Sequence, residues 1–207
     1  MEIRSLDKRD YKKAIQFAIK GMHFNWYISN RKILNAYGKY FVYMELNRAT
    51  QVLAVYEQDR LLGVLLAEIY GEQRCCYSKT KGIYVKIFDW IQKLFVKKDV
   101  DLYDDANNEM YREYLKSEKP DGEIIFLAAD PDCGKKGVGS LLLKELEKRE
   151  QGKEIFLYTD NACTYQFYEH RGFERFAERQ IVLHLEKEIA LSCFFYRKKI
   201  VRKELNG

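Results

Sequence analysis

Between Asp130 and Glu150 the chain reads DPDCGKKGVGSLLLKELEKRE. Three glycines and two lysines fall within the six residues from Gly134 to Gly139. An amphipathic run follows at once, with Val138, Leu141, Leu142 and Leu146 on one face. The first turn of a helix leaves backbone N–H groups unpaired and carries the positive end of the helix dipole. Glycines ahead of it let the backbone approach a large anion closely. Gly134, Lys135, Lys136, Gly137, Val138, Gly139 and Ser140 are therefore expected to hold a phosphate or pyrophosphate, with lysine charge as support. A plain strand-to-helix turn with surface lysines has the same composition, so the loop alone does not decide. Two familiar phosphate loops fail on spacing. A Walker loop needs Lys and then Ser or Thr after its last glycine, but Gly139 is followed by Ser140 and Leu141. The dinucleotide fingerprint GxGxxG opens a first βα unit, whereas here the order is GxxGxG and late in the chain.

A second segment, NACTYQFYEHRGF from Asn161 to Phe173, follows the apolar strand EIFLYT. The two segments together resemble the GNAT superfamily of acetyl-coenzyme A-dependent N-acetyltransferases. The first is similar to that family's cofactor loop, Q/R-x-x-G-x-G/A before a helix, with Gly134 where Gln or Arg is usual and Lys135 where glycine is common. The second is similar to its N-x-x-A-x-x-x-Y-E-x-x-G-F segment. Asn161, Tyr168, Glu169, Gly172 and Phe173 match, and Thr164 stands in place of alanine. The resemblance covers residues 1–70 by element order and 122–198 by motif.

The resemblance implies a role for each matching residue. The backbone of Leu127, Ala128 and Ala129 would pair with the pantetheine amides like an added strand, a role compatible with ordinary strand core. Residues 134–140 would take the pyrophosphate through main-chain N–H groups. Tyr168 would be the general acid that reprotonates the departing thiolate; its bland alternative is a core aromatic. Asn161 would contact the cofactor or else cap the following helix. GEIIFLAAD resembles the AEIVF strand of the histone acetyltransferase branch, which places Glu123 at that branch's general base, with Glu68 as second choice and water as a further option. Cys133 has no histidine partner in view, and the family transfers acetyl directly, so no cysteine nucleophile is expected. Acetyl-coenzyme A would be a co-substrate, with an amine as acceptor. Many relatives pair through sheet edges, so a homodimer is possible.

The elements that must position these residues follow from pattern. MEIRSL reads as a short strand, residues 7–22 as a helix stopped by Gly21, and residues 30–47 as a second helix. QVLAVYE and LLGVLLAEIY form a hairpin, ended by Gly71. Residues 72–119 interrupt the pattern and read as a helical insertion. One helix spans 81–98, with Ile83, Ile87, Trp90, Ile91, Leu94 and Phe95 expected to pack on the chain's own domain rather than on a membrane. A second spans 104–119, capped by Asp or Asn, with Met110, Tyr111 and Leu115 on one side. Pro120–Gly122 breaks it. Then come strand, loop, helix, strand, a short helix over 161–173, and two closing strands at 178–185 and 189–199. The expected fold is a single α/β (α+β) domain over 1–207, with a mixed, mostly antiparallel sheet flanked by helices.

Composition narrows the class. The 207 residues carry 47% hydrophobic and 32% charged side chains, enough for a core, with a net charge of only +5. That is too weak to argue for nucleic acid, and the basic end FFYRKKIVRK reads as a solvated strand end. No apolar stretch approaches a membrane span, and the N-terminus has no apolar signal core. Five cysteines without a CxxC pair read as reduced thiols in the cytoplasm. The three histidines lack metal-ligand spacing, so no metal is expected. Two rivals remain: a non-catalytic coenzyme A or acyl-coenzyme A sensor on the same fold, and an RNA- or ribosome-associated module.

Overall fold

A computed structural model of the chain describes residues 1–26, 28–95, 99–184 and 188–202, with backbone alone for 93–95, 99–101 and 184. Seven strands form one sheet: β1 (Glu2–Arg4), β2 (Gln51–Glu57), β3 (Arg60–Ile69), β4 (Gly122–Ala129), β5 (Glu154–Asp160), β6 (Glu174–His184) and β7 (Glu188–Lys199). Their spatial order is β1-β2-β3-β4-β5-β7-β6. Every neighbouring pair is antiparallel except β4 and β5. No helix among the described residues is long and apolar enough to cross a membrane.

Helices cover both faces. α1 (Tyr11–Gly21) and α2 (Arg31–Arg48) bury Ala14, Ile15, Ala18, Val42 and Leu46 against Ala54, Tyr56, Val64, Leu66 and Phe126. α5 (Val138–Arg149) lies on the opposite face, with Val138, Leu142, Leu143 and Leu146 on Leu53, Val55, Leu65, Ile124 and Leu157. Side chains alternate across a strand, so Ile155 and Leu157 of β5 face α5 while Phe156 faces the other way. There it meets α4 (Asp99–Tyr114), whose Met110 and Tyr114 are fully buried. Phe156 and Phe195 stack at 5.0 Å in that layer, and the Tyr114 hydroxyl donates to Glu154 at 2.6 Å. The central strands are covered on both sides, which is why they read as continuous apolar runs.

Residues 72–119 are helical over Lys79–Phe95 and Asp99–Tyr114, but the details correct the sequence reading. α3 (Lys79–Phe95) packs on α2 through Tyr84 and Phe88, whose rings lie 5.6 Å from Tyr43 and 4.7 Å from Tyr40. The expected packing stripe instead faces solvent: Ile83, Ile87, Trp90 and Ile91 are all exposed. α3 is apolar around most of its circumference, so counting apolar residues cannot choose its inner face; the aromatic pair at i, i+4 won it. The side chains of Leu94 and Phe95 lie outside what is described. α4 begins at Asp99, so the expected cap near Asp104 falls inside the helix, and Leu115 lies beyond its end and exposed. The helix expected over 161–173 shrinks to one turn, α6 (Gln166–Glu169). The basic C-terminal strand is ion-paired, Arg197 with Glu118 at 3.0 Å and Lys198 with Glu147 at 2.6 Å; Lys203 lies outside the described residues.

Candidate active site

The parallel pairing of β4 with β5 is limited to Gly122 opposite Ile155 and Glu123 opposite Phe156. Beyond these positions the strands part. β4 stays paired to β3 along its other edge, with a register shift that leaves Ile125 as an extra residue between Ile124 and Phe126. Such a bulge bends a strand and adds local twist. The edge of β4 that β5 no longer covers is a row of backbone donors and acceptors, the kind of edge an extended amide chain can join.

The gap is a cleft of about 510 Å³. One wall is β4 from Ile124 to Ala129, including Leu127, Ala128 and Ala129. The other runs from Tyr158, Thr159 and Asp160 of β5 through Cys163 and Thr164 to Phe167, Tyr168 and Arg171. The glycine loop closes one end with Lys135, Gly137, Val138, Gly139 and Ser140. Gly134 and Lys136 do not line the cleft.

The loop's shape follows from its residues. Gly134 and Gly137 have φ of +65° and +85°, the left-handed region that side chains with a Cβ avoid. Gly137 is the N-cap of α5 and offers no side-chain acceptor, so the N–H groups of the first turn remain for a guest. A Cβ on Gly63 would sit 2.6 Å from Val138 Cγ1, so glycine on β3 lets the start of α5 lie directly on the sheet. Asp130 anchors the loop's other end. Its N–H donates to the Leu62 carbonyl at 2.7 Å, and its carboxylate accepts from Arg60 at 3.0 Å and from the Asp132 N–H at 3.0 Å. Burial pushes that carboxyl up, but Arg60, the Asp132 N–H and Lys13 outweigh it and hold it below the usual range.

Residues 103–175 match the family model of the acetyltransferase (GNAT) domain. The chain carries a GNAT acetyltransferase fold. Three solved structures show the same architecture. The histone acetyltransferase HPA2 and related acetyltransferase from Corynebacterium glutamicum is 13% identical, with 98% of each chain covered and a TM-score of 0.55. The ribosomal-protein-alanine N-acetyltransferase from Brucella melitensis is 13% identical, covering 96% of this chain and 99% of that one, with a TM-score of 0.54. The PaiA N-acetyltransferase from Thermoplasma acidophilum, in complex with coenzyme A, is 16% identical, covering 96% and 98%, with a TM-score of 0.50. At such identities the likeness is one of fold. By sequence, no curated protein matches the chain.

Within this GNAT cleft, Tyr168 is half-buried. Its ring packs 5.3 Å from Phe167 and 5.7 Å from Phe173. Burial first, and the nearby Cys163 sulfur second, hold its phenol above the ordinary value, so it keeps its proton. Asn161 neither lines the cleft nor caps α6, whose N-cap is Tyr165. It ties β5 to β7 instead, with its Oδ1 accepting from the Ser192 N–H at 3.0 Å. Arg171 escaped the sequence reading. It hydrogen-bonds Ser140 and stacks 5.0 Å over Phe167, which puts a cation beside the start of α5. Its signal was no more than an arginine within the second GNAT segment.

At the other end of β4, Glu123 lies directly opposite Glu68 in the register. Like charges opposed across a sheet repel. Arg48, in the last turn of α2, relieves this by donating to Glu68 at 2.7 Å and to Glu123. Glu45 is 3.5 Å from the same guanidinium. Burial works against the charge on Arg48, but Glu123, Glu45 and Glu68 outweigh it and keep it cationic. Burial also pushes the Glu123 carboxyl up against the pull of Arg48, with Glu68 adding to the rise. Glu123 directly precedes Ile124, which lines the cleft, so the cleft and this charged cluster adjoin.

Glu45 is 5% exposed, one of its oxygens lacks a hydrogen-bond partner, and burial pushes its carboxyl up to about 8. The unfolded chain loses this proton near pH 4.5 and the folded chain only near pH 8. The folded state therefore binds more protons in between, and stability falls as pH rises through that window. Glu45→Gln keeps the neutral shape and removes the slope. Denaturant titrations should show the variant gaining on the parent between pH 5 and pH 8.5 by more than about 1 kcal/mol, since tenfold tighter proton binding in the folded state is worth about 1.4 kcal/mol. A constant difference across that range would place the Glu45 proton elsewhere.

Proposed function

We propose that this protein moves an acetyl group from acetyl-coenzyme A directly to an amine. The observation that carries the reading is the parting of β4 from β5 onto the N-terminus of α5, with Gly137 left-handed at the junction. Main-chain N–H groups of residues 137–140, with Arg171 and Lys135 beside them, suit a pyrophosphate. The free edge of Leu127–Ala129 suits the pantetheine amides. Gly134, Lys136 and Asn161, expected to touch the cofactor, would act through loop shape, general charge and the β5–β7 tie. The coenzyme A complex of the Thermoplasma relative supports the choice of ligand.

The division of labour follows from the two ends of β4. Glu123, raised in pKa and adjoining the cleft, would take the acceptor's proton. The amine nitrogen bonds to the acetyl carbon, the carbon–sulfur bond breaks, and Tyr168 would give its proton to the leaving sulfur. Glu68 shares Arg48 with Glu123 and is the alternative base. The acceptor would enter near the Glu68–Glu123 pair, where the hydroxyls of Tyr70, just beyond β3, and Tyr111 of α4 lie 3.4 Å apart, so residues 72–119 would shape its selection. The test is release of free thiol from acetyl-coenzyme A against a panel of amines, among them peptides with a free N-terminal alanine. Amine-dependent release is the expected result. Tight coenzyme A binding with no release against any amine would make the chain a sensor instead.

A further inference from the structure

Cys75 and Cys76 stand in the turn between β3 and α3, outside the cleft. Cys75 is exposed, and Cys76 is half-buried against the core beneath α1 and α2. The Cys75 N–H donates to the Ala49 carbonyl at 3.1 Å, and its Sγ lies 3.5 Å from the same oxygen. The two thiols belong to adjacent residues, and the Cys75 thiol is turned toward the Ala49 carbonyl. Lys81 donates to the Cys76 carbonyl at 2.9 Å, which holds an ammonium beside the pair, and Lys8 adds a second positive charge.

We infer that Cys75 and Cys76 form a peroxide-oxidisable dithiol, a reversible modification site distinct from the acetyltransferase cleft. The neighbouring Cys75 thiol foremost, then Lys81 and Lys8, overcome burial and lower the Cys76 thiol to about 6, which favours its thiolate form. Burial sends Cys163 and Cys193 the opposite way, up to about 12, and leaves them inert. The Cys76 thiolate attacks one oxygen of hydrogen peroxide, the O–O bond breaks, and hydroxide leaves, giving a sulfenic acid. The Cys75 sulfur then attacks the Cys76 sulfur, the S–O bond breaks, and the hydroxide departs as water with the Cys75 proton. The pair has given two electrons to peroxide. Adjacent Cα atoms are about 3.8 Å apart, short of the roughly 4.4–6.8 Å that disulfides favour, so the bond is strained and readily reduced by thiols. Its formation draws the Cys75 sulfur off the Ala49 carbonyl, next to Arg48, the residue that holds Glu68 and Glu123.

The test is peroxide treatment of the full chain, followed by alkylation and tryptic mapping. The peptide from Cys75 to Lys79 should appear unalkylated and lighter by two hydrogen atoms, and dithiothreitol should restore it. It should react about tenfold or more faster than the peptides carrying Cys163 and Cys193, because the thiolate is the reactive form. In Cys75→Ser, where the disulfide cannot form, Cys76 should instead gain two or three oxygens and no longer recover. Hydrogen exchange of the amides at 48–50 should quicken in the oxidised chain. Oxidation of Cys163 or Cys193 first, a Cys76 in the parent that gains oxygens without forming the disulfide, or unchanged exchange at 48–50 would each overturn the inference.

Discussion

Gly137→Val is expected to weaken acetyl-coenzyme A binding about 100-fold, which corresponds to nearly 3 kcal/mol at 1.4 kcal/mol per tenfold. Two effects act together. Gly137 holds φ at +85°, a conformation that a β-branched residue resists, so the N–H groups of the first turn of α5 would be re-aimed. A Cβ there has no protein atom within 4 Å, and Gly137 lines the cleft, so the added methyls would occupy space meant for the ligand. Calorimetric titration reads the affinity, and the thermal midpoint checks that the variant is folded. Gly137→Ala, smaller but equally constrained in φ, should fall between the two. A folded valine variant with the parent's affinity would remove the loop from the binding site.

Tyr168→Phe is expected to lower turnover roughly ten- to a thousand-fold, since general acid help is worth about 10²–10⁴ and water replaces part of it. The ring's contacts with Phe167, Phe173 and Tyr196 survive the change. The hydroxyl bonds no other described residue, so its loss should leave the thermal midpoint and cofactor affinity nearly unmoved. The raised phenol also fixes the pH dependence: the donor stays protonated above the ordinary tyrosine range, so alkaline loss of activity should not begin near pH 10. A phenylalanine variant with full turnover would assign Tyr168 to packing.

The parts of the site legible in the sequence are the parts built from contiguous residues. Gly134–Ser140 shows its shape locally, because left-handed glycines and a helix start are neighbours in the chain. The order of strands and helices is also local, set by period and by breakers such as Gly21, Gly71 and Gly172. The Arg48 cluster is different. Glu45 and Arg48 share one turn of α2, but Glu68 and Glu123 come from β3 and β4, and only sheet register puts them face to face. No spacing rule reveals a cage assembled that way. Arg171 was hidden similarly, since its partner Ser140 lies a helix and a strand away. For α3 the pattern was ambiguous rather than silent: a helix apolar on most sides does not announce that Tyr84 and Phe88 face inward. Asn161 shows a further limit. Its motif position is as expected, yet its side chain is engaged with Ser192 of β7, a partner that local sequence does not name.

The split between β4 and β5 is the proposed coenzyme A site. Titrating ¹⁵N-labelled protein with coenzyme A while following backbone amide resonances tests it most directly. The largest shifts are expected at Gly137, Val138, Gly139 and Ser140, a second group at Leu127 and Ala129, and little change on β1 or along β6. Shifts centred away from the cleft, or no saturable shifts at millimolar coenzyme A, would contradict it.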